Sequence, residues 1–457
     1  MIKKKDIIEL KIEDMEFGGK AYGFVDGAKV IVKHGMIGQR VRAAVTKARR
    51  GQYEGKILEV LEASHLETEE TCPHFGGCGG CFYQAVSYEE QLKEKERQVK
   101  TLFNEAQLDG FQWLPIEGSP TVFDYRNKME FSFGDEEKDG PLTLGMHKRG
   151  RHHDIITVDQ CRIMDEDFNE ILKTILSYFS EEKIPHYNGR FHKGYLRHLI
   201  IRKAYYTGEV MVNLVTSTQL QLDLTELVES VKNLVLKGRL VGFLHTLNDN
   251  LADAVQSDRT DILYGQDFII EKLLGLRFKI SAFSFFQTNT LAAEKLYNIV
   301  GDFVGEADGK VLFDLYCGTG TIGQIMAKRA SKVIGIEIVE DAVKAARDNA
   351  ALNGLDNCEF IAGDVREEVK KLKSKPDIII LDPPRAGIHP QALLDVISFD
   401  APEIVYVSCN PKTLVADLKE LVKAGYKIQK VKCMDMFPHT PHVEAIILMT
   451  RSGSSDK

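Results

Sequence analysis

Between residues 310 and 411 the sequence repeats one unit: a short, wholly apolar run, a polar turn at its end, then an amphipathic stretch. KVLFDLYCGTGTIGQIMAKRA (310–330) reads as strand, glycine-rich turn and helix, and KVIGIEIVEDAVKAARDNAALNG reads as strand then helix. CEFIAGDV, DIIILDPPRAG (377–387) and IVYVSCNP (404–411) add further strands, each stopped by polar or proline residues. Apolar runs with no polar alternation belong to strands covered on both faces. Strands that alternate with helices build a parallel, doubly wound α/β sheet. That architecture puts any ligand beyond the carboxyl ends of the strands.

The strand ends are where this chain keeps its reactive groups. Gly318, Gly320 and Gly323 let a ligand approach the backbone at a helix N-terminus. Glu337 closes the next strand about 20 residues on, where an acid can accept hydrogen bonds from both hydroxyls of a ribose. Asp382 is followed by two prolines, which stiffen the chain and remove N–H donors. The run Ile404–Ser408 stops at Cys409, because Asn410 and Pro411 turn the chain. A thiol at a strand end is a nucleophile once ionised. Taken alone, each feature also has an ordinary structural explanation: a dinucleotide turn, or a buried cysteine.

The 457 residues suffice for about three domains. No run of 18 apolar residues is present, so no membrane helix is expected. The N-terminus has no apolar signal region, and a cytoplasmic location is expected. The net charge of −8 argues against a uniformly basic coat for nucleic acid. Residues 1–62, however, carry 13 Lys or Arg against 9 Asp or Glu, and residues 140–153 carry no acid.

Residues 1–63 show five short alternating runs punctuated by Gly18-Gly19, Asp26-Gly27 and His34-Gly35, a pattern that predicts an OB-like β-barrel. The stretch TCPHFGGCGGCFYQ (71–84) brings Cys72, Cys78 and Cys81 together among glycines, and Cys161 is the candidate fourth thiol. Four thiolates suit either a [4Fe–4S] cluster or tetrahedral zinc, and the single C-x2-C pair inclines towards iron–sulfur. Ser87 with Glu90 starts a helix over 87–109 whose charges are expected to face solvent. Residues 64–280 form the second expected unit, α+β in character. Its hairpin centres on Thr207-Gly208, and its helices lie near 171–179 and 224–236. Arg126, Lys128, Lys148 and Arg149, near Phe123, Tyr125 and Phe131, suit phosphate contact and base stacking, or a plain strand face over core aromatics. Residues 281–457 are the third unit.

These motifs occur in one order. The N-terminal barrel resembles a TRAM domain, an RNA-binding module. The cysteine set, FSFFQTN (283–289), FDLYCGTGTIG, IIILDPPRAG, VSCNPKTLVADL and MFPHTPHVEAIILM follow as in the RNA uracil-C5 methyltransferase family of TrmA/RumA type. The resemblance spans nearly the whole chain. It implies an S-adenosylmethionine-dependent methyltransferase (Rossmann-like) domain behind the barrel and the central α+β domain. It implies that Gln287, Tyr316, Glu337 and Asp382 line the S-adenosylmethionine pocket, with Gly318 in the turn beside them. It further implies that Cys409 is the nucleophile, Glu444 the general base, and Cys72, Cys78, Cys81 and Cys161 the ligands of a [4Fe–4S] cluster. The pairing of TRAM-like barrel and four cysteines resembles the 23S ribosomal RNA branch, with transfer RNA the alternative. A monomer without membrane association is expected. The rival readings are a radical enzyme, an RNA cytosine-C5 methyltransferase and a non-catalytic RNA-binding or assembly factor. The x5 spacing between Cys72 and Cys78 counts against the first. The presence of Cys409, Glu444 and Asp382 counts against the last.

Overall fold

The computed structural model describes residues 2–69, 71–151, 153–251, 258–372 and 374–451. Its largest sheet has eight strands. In spatial order these are Cys358–Ala362, Lys332–Glu337, Val311–Leu315, Ile378–Leu381, Glu403–Ser408, Glu444–Arg451, Tyr426–Met434 and Gln112–Glu117. The first five are parallel, and Glu444–Arg451 runs antiparallel to both of its neighbours. Successive strands run outwards in one direction from Val311–Leu315 and then restart on its other side at Ile378–Leu381. This reversal opens the crevice in which doubly wound sheets hold ligands. All four side chains of Ile378–Leu381 are buried, as the uninterrupted apolar run predicts.

The outermost strand of that sheet comes from far earlier in the chain. Gln112–Glu117 pairs in parallel with Tyr426–Met434, with a register shift near Pro115. Proline is tolerated there because one side of an edge strand needs no N–H donor. The helix Tyr88–Glu105 packs beside it, capped by Ser87 as expected. Its charges do not all face solvent. Lys95 is 1% exposed and Gln91 fully buried, because both bond to the segment that precedes Glu444.

The central residues form a seven-stranded sheet, with the helices Glu166–Glu181 and Thr225–Lys232 sharing its core. The Thr207-Gly208 hairpin is present, joining Leu196–Lys203 to Glu209–Thr216. A separate hairpin, Phe268–Leu273 with Leu276–Ser281, leads into the C-terminal third. At the N-terminus six strands, one more than the five expected, make a single sheet. Its order is Ile7–Lys11, Arg40–Arg49, Gln52–Glu62, Ala28–Lys33, Lys20–Val25 and Asp14–Glu16. The sheet curls as a half-barrel. Beyond its first strand, Glu13 N–H donates to the Tyr22 carbonyl at 2.9 Å. Among the described residues no helix is long and apolar enough to cross a membrane.

Candidate active site

One large cleft, about 1370 Å³, opens at the carboxyl ends of the parallel strands. Gln287, Tyr316, Gly318, Glu337, Asp382, Cys409 and Glu444 all line it. Seven residues spread over 158 positions of sequence therefore share one cavity.

The sheet register sets Cys409 beside Glu444. Ser408 pairs with Ala445 in the antiparallel ladder, so the next residues outwards are Cys409 and Glu444. Cys409 is held at the start of a helix. Asn410 caps Pro411–Lys423 by accepting the Lys412 N–H, and its side-chain amide donates to the Arg385 carbonyl at 2.8 Å. Burial, with Glu444 and Asp382 nearby, pushes the Cys409 thiol up to about 11, and Arg385 opposes that rise by charge and by a side-chain hydrogen bond. Burial and the neighbouring Asp382 raise the Glu444 carboxyl to about 8. Burial alone raises Asp382 to about 7. Both acids are thus raised towards neutrality, the range in which a carboxylate such as Glu444 can serve as a general base.

The other half of the cleft fits an adenosyl ligand. Glu337 accepts the Gly318 N–H at 3.1 Å on one oxygen and the Val339 N–H at 3.0 Å on the other, which fixes its carboxylate at the turn. Gly318 (φ 54°) and Gly320 (φ 70°) take the left-handed conformation that favours glycine. A Cβ at Gly318 would meet nothing within 4 Å, so its bare face is open, whereas one at Gly320 would lie 2.5 Å from Phe360. Tyr316 also sits at positive φ, 66°, with its N–H donating to the Ile336 carbonyl at 3.0 Å. The Gln287 loop is fastened from outside. Asn127 Nδ2 donates to the Gln287 carbonyl at 2.9 Å, and the buried Arg202 guanidinium donates to the carbonyls of Ala282 and Ser284.

Several lining residues escape the sequence reading. Arg385 lies inside the DPPRAG motif and Asp314 inside the KVLFDL run before the glycine turn, so both were within reach of pattern. Asp314 is raised to about 7 by burial and accepts the Gly323 N–H at 2.8 Å. Phe437 and Thr440 lie inside the quoted MFPHTPHVEAIILM motif, whereas Tyr297 carries no such signal, because only the folded chain brings it to the cleft.

Cys72, Cys78, Cys81 and Cys161 line a second, smaller cavity and form no disulfide. Burial pushes Cys81 up to about 12 and Cys161 to about 11. Among the described residues, no three His, Cys, Asp or Glu side chains stand grouped as a ready-made site for a single metal ion. The donor set is still four thiols lining one small cavity, Cys72 buried and the other three half-buried, a set whose chemistry suits iron–sulfur or zinc.

The four cations proposed for RNA contact fare differently. Lys128 pairs with Glu130, and Lys148 pairs with Glu136 at 2.9 Å. Arg149 donates to the Cys81 carbonyl at 2.7 Å and stands over the Phe75 ring. Arg126 lines the large cleft. Tyr125 and Phe131 are core residues, 4% and 0% exposed, so neither ring can stack on a base.

The whole structure is similar to that of the Pyrococcus abyssi tRNA (uracil-54, C5)-methyltransferase in complex with S-adenosyl-L-homocysteine. That match has a TM-score of 0.77 at 28% identity and covers 97% of this chain and all of the other. The fold is that of an S-adenosylmethionine-dependent methyltransferase. In sequence the chain is 57% identical to an uncharacterized RNA methyltransferase of Clostridium tetani over 453 residues, 99% of each chain. It is 51% identical over 451 residues, again 99% of each, to one from Clostridium acetobutylicum. Residues 87–452 match the profile of the tRNA (uracil-5-)-methyltransferase family, and the chain belongs to that family. It is an enzyme that methylates RNA with S-adenosylmethionine.

Proposed function

We propose that the enzyme methylates C5 of one uridine in 23S ribosomal RNA through a covalent adduct with Cys409. The observation that supports this most is that Cys409 and Glu444 each lie one residue beyond the Ser408–Ala445 pair of the ladder, with Asp382 and Arg385 near Cys409. Uracil C5 is a weak nucleophile. Addition of the Cys409 thiolate to C6 forms a C–S bond and moves the ring π electrons onto C5 and O4. When bound, S-adenosylmethionine supplies an electrophilic methyl on a positively charged sulfur. Once methylated, C5 still carries its original hydrogen. Glu444, ionised, takes that proton, the electron pair re-forms the C5–C6 bond, and Cys409 leaves as thiolate. Arg385 favours the thiolate at the start and again at the end. Glu337 would hold the ribose hydroxyls, and Gln287, Tyr316 and Asp382 would hold the rest of the cofactor or the uracil edge, with Gly318 leaving room.

Cys72, Cys78, Cys81 and Cys161 would hold a [4Fe–4S] cluster that shapes the RNA-binding surface, since no step above moves an electron. Residues 1–63, as a TRAM-type OB-like module, and 64–280 would grip RNA, leaving methyl transfer to 281–457. The target base must leave its stack to reach a recessed thiol, so base flipping or single-strand capture belongs to this reading. The enzyme would act in the cytoplasm as a monomer.

Incubation with cofactor and RNA containing 5-fluorouridine tests the chemistry. Fluorine cannot leave as a cation, so the wild type should form a covalent adduct and Cys409→Ser should form none. A wild type that yields no adduct overturns the mechanism. Transfer RNA is a second reading, favoured by the family's name and the function given for the Pyrococcus abyssi structure. Mapping 5-methyluridine in cells lacking the gene decides between the two.

A further inference from the structure

Arg126 stands in the wall between the two cavities, lining both the cysteine pocket and the methyl-transfer cleft. It lies in a short strap, residues 123–127, whose two sides hold different parts of the molecule. On one side the backbone is tied to the segment that follows Cys161. Asp124 N–H donates to the Arg162 carbonyl at 3.0 Å, and Arg126 N–H donates to the Ile163 carbonyl at 2.9 Å. On the other side the alternate residues hold the cleft. Phe123 stacks on His439 at 4.7 Å, Tyr125 OH donates to the Pro438 carbonyl at 3.0 Å, and Asn127 N–H donates to the Thr288 carbonyl at 2.9 Å. The strap bends at Asp124, whose φ is 51°, and its five residues join the cysteine site to both loops of the cleft.

The Arg126 guanidinium has no carboxylate beside it in an ion pair, among the described residues. Lys128 and Lys148 have carboxylate partners, whereas Arg126 forms no ion pair among the described residues, its Nε donating only to the Lys128 carbonyl at 3.3 Å. A half-buried guanidinium facing a cleft without a counter-ion is a site for an anion from outside. In a cleft that must admit a nucleotide, that anion is a backbone phosphate.

We infer that Arg126 binds a phosphodiester next to the target nucleotide, and that the four-cysteine site governs this contact through the 123–127 strap. The inference rests on the reading of the cleft as the place where a flipped RNA nucleotide is received.

The test measures affinity for unmodified transcripts of the host's 23S ribosomal RNA and its transfer RNAs over a range of KCl concentrations. Binding of S-adenosylmethionine is measured in parallel. Arg126→Ala should weaken RNA binding about tenfold at low salt and flatten the log–log salt slope by about one. Arg126→Lys should keep most of the slope, and cofactor affinity should not change in either variant. An unchanged slope in Arg126→Ala overturns the phosphate contact. Cys72→Ser and Cys161→Ser, made separately, should reproduce the flattened slope with cofactor binding intact. A wild-type slope, or loss of cofactor binding, in both overturns the role given to the cysteine site. Should the wild type methylate neither transcript while the Arg126 slope change persists, the proposed substrate falls and this inference stands. Methylation that continues with no Arg126 effect leaves the substrate standing and overturns the inference.

Discussion

Lys95 Nζ donates to Asp435 Oδ1 at 2.7 Å, with the two side chains 1% and 0% exposed. The same ammonium reaches the Phe437 carbonyl at 3.1 Å. A helix near the N-terminal third thus holds the segment that leads into Glu444, 340 residues away in sequence. Removing one member of a buried pair leaves the other charged and unsolvated. Lys95→Met should therefore cost about 3–5 kcal/mol of stability, and Lys95→Met combined with Asp435→Leu should cost less than the single change. Denaturant titration of both variants checks this. A single variant no less stable than the wild type sinks it.

The Glu444 carboxyl gives stability a pH dependence of known sign. Unfolded, it titrates near its ordinary 4.5; folded, near 8. Between those values the folded chain keeps a proton that the unfolded chain has lost, so stability falls as pH rises through the window. Glu444→Gln keeps the shape and cannot titrate. Its melting temperature relative to the wild type should climb from about pH 4.5 to about pH 8 and then level off. Parallel curves across that range would rule out a buried, raised carboxyl.

Asp382 is the second cause of the Glu444 shift. Asp382→Asn removes that charge, so the alkaline end of the Glu444 window should move to lower pH. The Cys409 thiol, also raised by Asp382, should become easier to ionise. The pH profile of Cys409 alkylation should shift down in Asp382→Asn and up in Arg385→Gln. Shifts of equal sign in the two variants would contradict the charge arrangement.

Two glycines of one turn should respond differently to the same change. Gly318→Ala places its methyl in open space facing the cleft, at a strain of about 1 kcal/mol for a positive φ. It should weaken cofactor binding with little loss of stability. Gly320→Ala drives a methyl into the Phe360 ring and should destabilise the fold itself. Thermal melts with and without S-adenosylmethionine separate the two.

Removal of the proposed cluster is open to direct assay. Protein purified without oxygen should carry iron and acid-labile sulfide in equal amounts, and Cys81→Ser should lose both. Zinc in their place would replace the cluster with the other metal that four thiolates allow.

The sheet, its helices and the cleft residues at its strand ends were legible because each rests on a local pattern. Apolar runs mark the buried strands, glycines mark the turn, and Asn410-Pro411 marks the stop after Cys409. The four cysteines could be grouped because thiols seldom cluster by chance. Lys95 could not be read as buried, since its partner Asp435 lies in a distant loop and its own neighbours are all charged. Nor did QWLPIE announce a place in the catalytic sheet, because its proline and half-exposed residues describe any edge strand. Tyr125 and Phe131 had no pattern to tell a core ring from a stacking one; the strap and sheet that cover them decide it. Arg126 was found by composition, but its position between two cavities is a property of the fold alone.

The borrowed edge strand Gln112–Glu117 bears on how such an enzyme can be taken apart. A fragment beginning at residue 281 would leave the Tyr426–Met434 backbone unpaired along one side and bury Asp435 without its lysine. Such a bare margin invites strand addition from a second molecule. The transferase unit is therefore portable only when the stretch from Tyr88 to Glu117 travels with it, and a graft that cuts between them would be expected to clump rather than methylate.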